Sequence, residues 1–371
     1  MYPDAVPVLV DPTAGVQLRA HAESDVPRIV EQCRDPEMVR WTTVPTVYDE
    51  QQARDFLAHI REDWDAGRSW SWAVELLASD ATPEGVFGGT ISVSDHGAGV
   101  GEVAFGLHPA SRGRRAMTAA LRLVRDYAFD TLGFRVLRWR AAVGNWGSRR
   151  TAAAAGFRFD GAVRLLLNHR GELLDGWLAT ITADDPRVDL SWPVPPRLTG
   201  SGAVLRPFGE PDLDRVVEAC SEPDTQHWLV SLPRPYRIEH ARAYLEDCRE
   251  LAARRDGWTW CITTDDPDGA DECVGALSLE GFGGYARRLE IGYWAHPDAR
   301  GRGLVSDAVR AVAALVEQQR LADSVIIRCA AGNAASRRVA ERAGYHENGV
   351  QPASEPLGDG TLDDLVTYTR P

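Results

Sequence analysis

Apolar positions in the second half of the chain recur in two rhythms, and each rhythm predicts its own elements. In EPDLDRVVEAC (210–220) Leu213, Val216, Val217 and Cys220 fall at three- and four-residue spacing, one face of a helix. A loop carrying Trp228 leads to a second helix over 236–255, with Ala241, Tyr244, Leu245 and Cys248 in register. WTWCITT, CVGALSLE and LEIGYWAH, within 258–296, are β-rich runs bounded by Gly, Asp and Pro; they predict three successive strands after a short one in AVLRPF. Val305, Val309, Val312 and Val316 mark a long helix over 303–319, and SVIIRCA (324–330) reads as a buried strand. GNAASRRVAERAG gives a short helix that begins near Asn333 and stops at Gly344. DLVTYTR closes the unit as its last strand. Elements in this order make a layered α/β (α+β) unit.

The first half repeats the pattern. Pro45 and Tyr48 answer Pro233 and Tyr236, Trp70 and Trp72 answer Trp258 and Trp260, and Asn145 and Ser148 answer Asn333 and Ser336, all displaced by 188 positions. Near the start, Leu18-Arg19 answers Leu205-Arg206 at a displacement of 187. So constant a shift over so long a stretch means a duplicated domain, not an array of short repeats. The predicted organisation is an N-terminal domain over 1–185, a Pro- and Gly-rich linker over 186–202, and a C-terminal domain over 203–371.

With 371 residues, 44% of them apolar, each half is long enough to bury a core without staples. The net charge of −13 weighs against a nucleic-acid partner, whose phosphates demand a basic surface, and is compatible with a cationic acceptor. No apolar run approaches the roughly 20 residues of a membrane helix, and the amino terminus does not read as a signal peptide. A cytoplasmic protein without a membrane partner is expected. Cys33, Cys220, Cys248, Cys261, Cys273 and Cys329 are scattered, with no C-x-x-C and no His cluster, so reduced thiols and no metal site are expected. The oligomeric state is left open.

The candidate chemistry starts at Arg300-Gly301-Arg302-Gly303-Leu304, at a strand-to-helix junction. Glycines allow a tight turn, the helix start offers free amides, and two arginines add counter-charge for a diphosphate. No Gly-Lys-Ser/Thr follows, so this is not a Walker loop. In context the run E-I-G-Y-W-A-H-P-x-x-R-G-R-G, a helix, a strand, then N-x-x-S-x-x-x-A-x-x-x-G-Y resembles the GNAT acetyltransferase superfamily, and within it the RimJ/RimL-like branch. Both halves carry the pattern, so two tandem GNAT domains are implied.

That resemblance implies a mixed, mostly antiparallel sheet, splayed between its fourth and fifth strands and flanked by helices. Acetyl-CoA, as co-substrate, would lie in the splay. Backbone amides of Arg300, Gly301, Arg302, Gly303, Leu304 and Val305 would hold its pyrophosphate, and Asn333 its pantetheine arm. Trp294, Ala295 and His296 would lie beside the thioester, an amide near Trp294 or Ala295 stabilising its oxygen, with Gly292 marking a bulge in that strand. His296 itself reads as a strand-end residue rather than a base. The tyrosine that many family members use as proton donor is absent, since Ala340 and Ala152 stand there. Ser336 is the substitute, or else only a first-turn residue of its helix. Glu290 is the expected base, acting through water, with Glu280 second. Trp228 and Tyr236 are the candidate walls of the acceptor groove. In the first copy Arg115 replaces the second loop glycine, which implies an impaired or vacant site. The implied activity is transfer of an acetyl group to a primary amine, on a small molecule or a peptide N-terminus. The alternative is a non-catalytic acyl-CoA-binding or scaffold protein.

Overall fold

A computed structural model describes residues 2, 4–78, 85–190, 192–264, 271–284 and 287–370. The chain divides into two compact units, Met1–Trp192 and Pro193–Pro371. In the first, β1 (Leu9–Asp11) and β2 (Val16–Arg19) lead to α1 (Val26–Arg34), α2 (Pro36–Trp41) and α3 (Glu50–Asp65). Then come β3 (Ser69–Leu76), β4 (Val86–Asp95), β5 (Val100–Leu107), α4 (Ala116–Asp130) and β6 (Val136–Ala142). α5 (Trp146–Ala154), β7 (Arg158–His169) and β8 (Glu172–Thr182) close it. The second repeats the order as β9 (Leu198–Thr199), β10 (Ala203–Arg206), α6 (Leu213–Ser221), α7 (Pro223–Trp228) and α8 (Ile238–Ala253). β11 (Gly257–Thr264), β12 (Gly275–Glu280), β13 (Arg288–Ala295) and α9 (Leu304–Gln319) follow. Last are β14 (Ser324–Ala330), α10 (Ala334–Arg342), β15 (His346–Pro356) and β16 (Leu362–Arg370).

Each unit is one eight-stranded mixed sheet, ordered β1-β2-β3-β4-β5-β6-β8-β7 and β9-β10-β11-β12-β13-β14-β16-β15. One neighbouring pair in each is parallel, and it is short. β13 meets β14 only over Arg288–Glu290, opposite Ser324–Ile326, and β5 meets β6 only over Val100–Val103. Beyond Glu290 the two strands part, and Ile291–Ala295 keep β12 as their partner. The splay inferred from family likeness is there in both units. Gly292 makes no bulge: β12 and β13 run in unbroken register, with Gly292 opposite Ser278, and a Cβ on Gly292 would come within 3.0 Å of Ser278 Oγ.

The core of the second unit is α9 against the sheet, with Ala308, Val309, Val312 and Val316 packed on Leu205, Trp260, Leu277, Leu279 and Ile291. Burial of this apolar stripe, not propensity, fixes the helix there. Asp307, on the same helix, accepts from the amides of Gly202 and Ala203 and from the Ser201 hydroxyl, and so pins the start of β10. These bonds outweigh burial, which opposes them, and hold its carboxyl at about 2.

The 186–202 stretch is shared between the units. Leu198–Thr199 forms β9 against β10, and the Pro196 carbonyl accepts from the buried Trp260 indole at 2.8 Å. In the first unit the Pro7 carbonyl does the same for Trp72. Upstream, Asp189 pairs with Arg122, and Trp192 joins Trp146, Phe159 and Trp177 around the Arg149 guanidinium, which stands 3.6–5.8 Å from the four ring centres. Arg149 is 3% exposed, so the aromatic faces take the place of solvent for its charge. Among the described residues no helix is long and apolar enough to cross a membrane.

Candidate active site

The turn before α9 has the conformation its glycines allow. Gly301 and Gly303 take φ of +77° and +80°, and a Cβ on either would meet no atom within 4 Å. Gly303 caps α9, so the first-turn amides from Leu304 onward have no carbonyl one turn back. Leu304 is buried in the core while Arg302 is exposed. The Arg300 side chain is engaged elsewhere. Its guanidinium pairs with Glu222 at 2.6 Å and bonds the Thr225 hydroxyl at 2.8 Å. Glu222 caps α7 by accepting from the Thr225 amide. Burial opposes its charge, but Arg300 and the capping amides prevail and hold its carboxyl at about 2.

On β13, Ala295 lies opposite Gly275, and Trp294 packs with Tyr244 against the cluster of Leu213, Val216 and Leu245. The His296 side chain turns toward α6. Its Nδ1 faces the Arg215 guanidinium at 3.0 Å and its Nε2 faces Glu218 at 3.2 Å. His108 has the same setting in the first unit, against Arg28 and Glu31. The imidazole is therefore a fastener of the turn, held against α6 by Arg215 and Glu218.

Across the gap, Asn333 caps α10: its side-chain oxygen accepts from the Ser336 amide at 3.0 Å. The Ser336 hydroxyl is 2.9 Å from the Tyr293 hydroxyl of β13. It also bonds the Cys329 thiol, which burial pushes up. Ser336 is thus both a first-turn residue and a hydroxyl presented where β13 and β14 part. Glu290 is held differently from the expectation of a base. Both its oxygens accept from Arg328, at 2.9 and 2.7 Å, directly below the fork. Glu102 pairs with Arg140 at the same place in the first unit, so this bridge ties β13 to β14. Glu280 lies opposite Glu290 at the exposed end of β12.

A carboxylate that the sequence reading missed is Glu355, on β15. It is half-buried. Desolvation raises its pKa, and Glu290 and Asp363 add to the rise against the pull of Arg328. It follows a bulge: Ala353 takes a φ of +45°, and its amide donates to Asp364. β15 gave no signal, because HENGVQPASEP has neither alternation nor an apolar run and is almost wholly exposed.

Trp228 sits on a short helix, α7, rather than in a loop. Glu222-Pro223 supplies the cap and first residue that start it. A Cβ on Gly332 would stand 3.7 Å from the Trp228 ring, so the indole covers the turn before Asn333. Tyr236 is 7% exposed, packed among Leu213, Val216, Cys220 and Leu245, and its phenol bonds Cys220. Its apolar surroundings make it a core residue.

The first unit keeps the frame and lacks these groups. Arg115 takes the left-handed conformation of Gly303, with a φ of +57°. Phe105 stands for Tyr293, and Ser148 accepts from the Trp139 indole at 2.9 Å instead of meeting a phenol. Leu165 reproduces the bulge of Ala353, with its amide on Asp175, and Leu167 then occupies the position of Glu355.

One group with metal-ligand chemistry exists among the described residues. Asp212, Cys261 and Cys273 bring their ligand atoms within 4.8 Å of one another. Arg206 already engages both Asp212 oxygens at 2.8 Å, which puts a fixed positive charge where a cation would sit.

A family model described as acetyltransferase (GNAT) domain matches residues 16–158 and again 203–346. The chain is 31% identical over 100 residues to the ribosomal-protein-serine acetyltransferase of Escherichia coli (strain K12), across 27% of this chain and 55% of that protein. It spans about half the length of the curated relatives it matches. Among solved structures, Mycobacterium smegmatis RimJ in complex with CoA-disulfide aligns with a TM-score of 0.42 at 23% identity, over 49% of this chain and 89% of that one. An acetyltransferase (GNAT family) from Bacillus anthracis aligns with a TM-score of 0.40 at 20% identity, over 47% and 98%. Because the two family matches take in well over half of its residues, the chain belongs to the GNAT acetyltransferase family, once in each unit.

Proposed function

We propose that the second unit transfers an acetyl group from acetyl-CoA to a primary amine by direct attack on the thioester, and that the first unit does not. The observation that carries this is the parting of β13 from β14 just past Glu290, flanked by the α9 turn, Ser336 and Glu355. The amides of the α9 start hold the diphosphate of the co-substrate, and the pantetheine lies along the freed side of Ile291–Ala295. Glu355 removes a proton from the incoming ammonium, since Glu290 is engaged by Arg328. A carboxyl raised by burial is better matched to that task than an ordinary one. An amide near Trp294 or Ala295 stabilises the thioester oxygen, and Ser336 donates to the departing thiolate. The acceptor is a small-molecule amine or a peptide N-terminus; the name of the Escherichia coli relative favours the peptide. A cytoplasmic setting fits six free cysteines.

The test is release of free thiol from acetyl-CoA with a panel of N-terminal-serine and N-terminal-alanine peptides, polyamines and aminoglycosides. Turnover with at least one class is expected. Binding of acetyl-CoA without turnover across the panel would return the second unit to the scaffold reading.

A further inference from the structure

The Tyr293 hydroxyl is 3.0 Å from the Ser336 carbonyl oxygen and 2.9 Å from Ser336 Oγ. A carbonyl only accepts, and a phenol has one proton. At rest, therefore, the phenol donates to the carbonyl and offers its own oxygen to the serine hydroxyl, or shares its proton between the two. In either arrangement, a side chain of the thioester strand grips the first turn of α10 across the gap where the strands part. Ser336 has one other polar neighbour described there, the Cys329 thiol, a weak partner. Without the phenol, the serine rotor would lose its one strong hydrogen bond.

We infer that Tyr293 is a positioning residue for proton delivery, setting the direction of the Ser336 hydroxyl and holding its oxygen while its proton is given up. This rests on the reading of Ser336 as donor to the leaving group. As the thioester C–S bond breaks, the Ser336 proton passes to the thiolate sulfur, giving the free thiol and an Oγ anion. The Tyr293 hydroxyl turns from the carbonyl to that oxygen and donates a hydrogen bond to it. The proton that the amine nitrogen gives up as the amide forms is relayed through water to Oγ, so the cycle closes with no other reactant. The first unit is the natural contrast: Phe105 removes the hydroxyl, and Ser148 is parked under the Trp139 indole.

The experiment compares Tyr293→Phe, Ser336→Ala and the double variant in the full chain, with acetyl-CoA and the fastest amine of the panel above. Phenylalanine already occupies this position in the first unit, so the fold accepts it. Tyr293→Phe is expected to lower kcat roughly tenfold, with the KM for acetyl-CoA and the unfolding midpoint unchanged. Ser336→Ala is expected to lower kcat further, and the double variant is expected to be no slower than Ser336→Ala. Equal losses from Tyr293→Phe with and without Ser336 would overturn the inference, as would full kcat in Tyr293→Phe. Full kcat in Ser336→Ala would overturn the role of Ser336 itself, and the phenol's with it, while leaving acetyl transfer standing.

Discussion

The two units share a sheet order, a parted strand pair, a capped turn and a Glu–Arg bridge below the fork, yet several positions around the opening differ. Gly303, Tyr293, Glu355 and Cys329 in the second unit face Arg115, Phe105, Leu167 and Ala141 in the first. What both units keep is what the fold needs: Asn333 and Asn145 as helix caps, His296 and His108 as fasteners, and the paired Glu290–Arg328 and Glu102–Arg140. What only the second keeps are the groups that the proposed transfer uses. On the proposed function, duplication separates scaffold from chemistry within one chain.

The largest effect should come from Glu355. Glu355→Gln is expected to lower kcat on the order of a hundredfold and to remove the acidic limb of the pH profile. The sign follows from the base role: the deprotonated carboxylate acts, so activity falls as pH drops through its raised pKa. A limb that persists unchanged would move the base elsewhere and erase the contrast with Leu167.

A smaller effect tests the frame. Glu222 is held at about 2, below its ordinary value, so its contribution to stability is complete above that ordinary value and is lost as pH falls toward 2. Glu222→Ala should lower the unfolding midpoint of the second unit by a few degrees at pH 7, about 1–2 kcal/mol for a lost cap. The difference should narrow in acid. A constant gap across pH would mean that packing, not charge, is at work.

The smallest effect lies in the first unit. Arg115→Gly should stabilise it by about 1 kcal/mol, because an L-residue is strained at a φ of +57°. Calorimetric titration of the unaltered chain should find one acetyl-CoA per chain. Two equivalent sites, with no gain from Arg115→Gly, would show Arg115 bound to phosphate and the two units alike.

Most of the strands, the long helix, the glycine turn and the duplication were legible, because each leaves a side-chain pattern. Ser336 and Asn333 were singled out through the family resemblance and their counterparts in the first copy, Ser148 and Asn145. Glu355 was not, because it lies on an exposed strand whose register comes from a bulge and from backbone pairing with β16. Tyr293 read only as a member of a β-rich run, since its hydroxyl's partner is 43 positions away. The prolines near 193–196 read as linker because a carbonyl that accepts from a tryptophan carries no mark in the sequence.

The ring of aromatics around Arg149 bears on how the protein can be divided. A fragment ending at 185 would discard Trp192, one wall of that enclosure, along with Asp189. A fragment beginning at 203 would leave the Trp260 indole without its acceptor. Separately expressed halves that behave well should meet at Trp192–Pro193, where each inherits the strap that seals its own tryptophans.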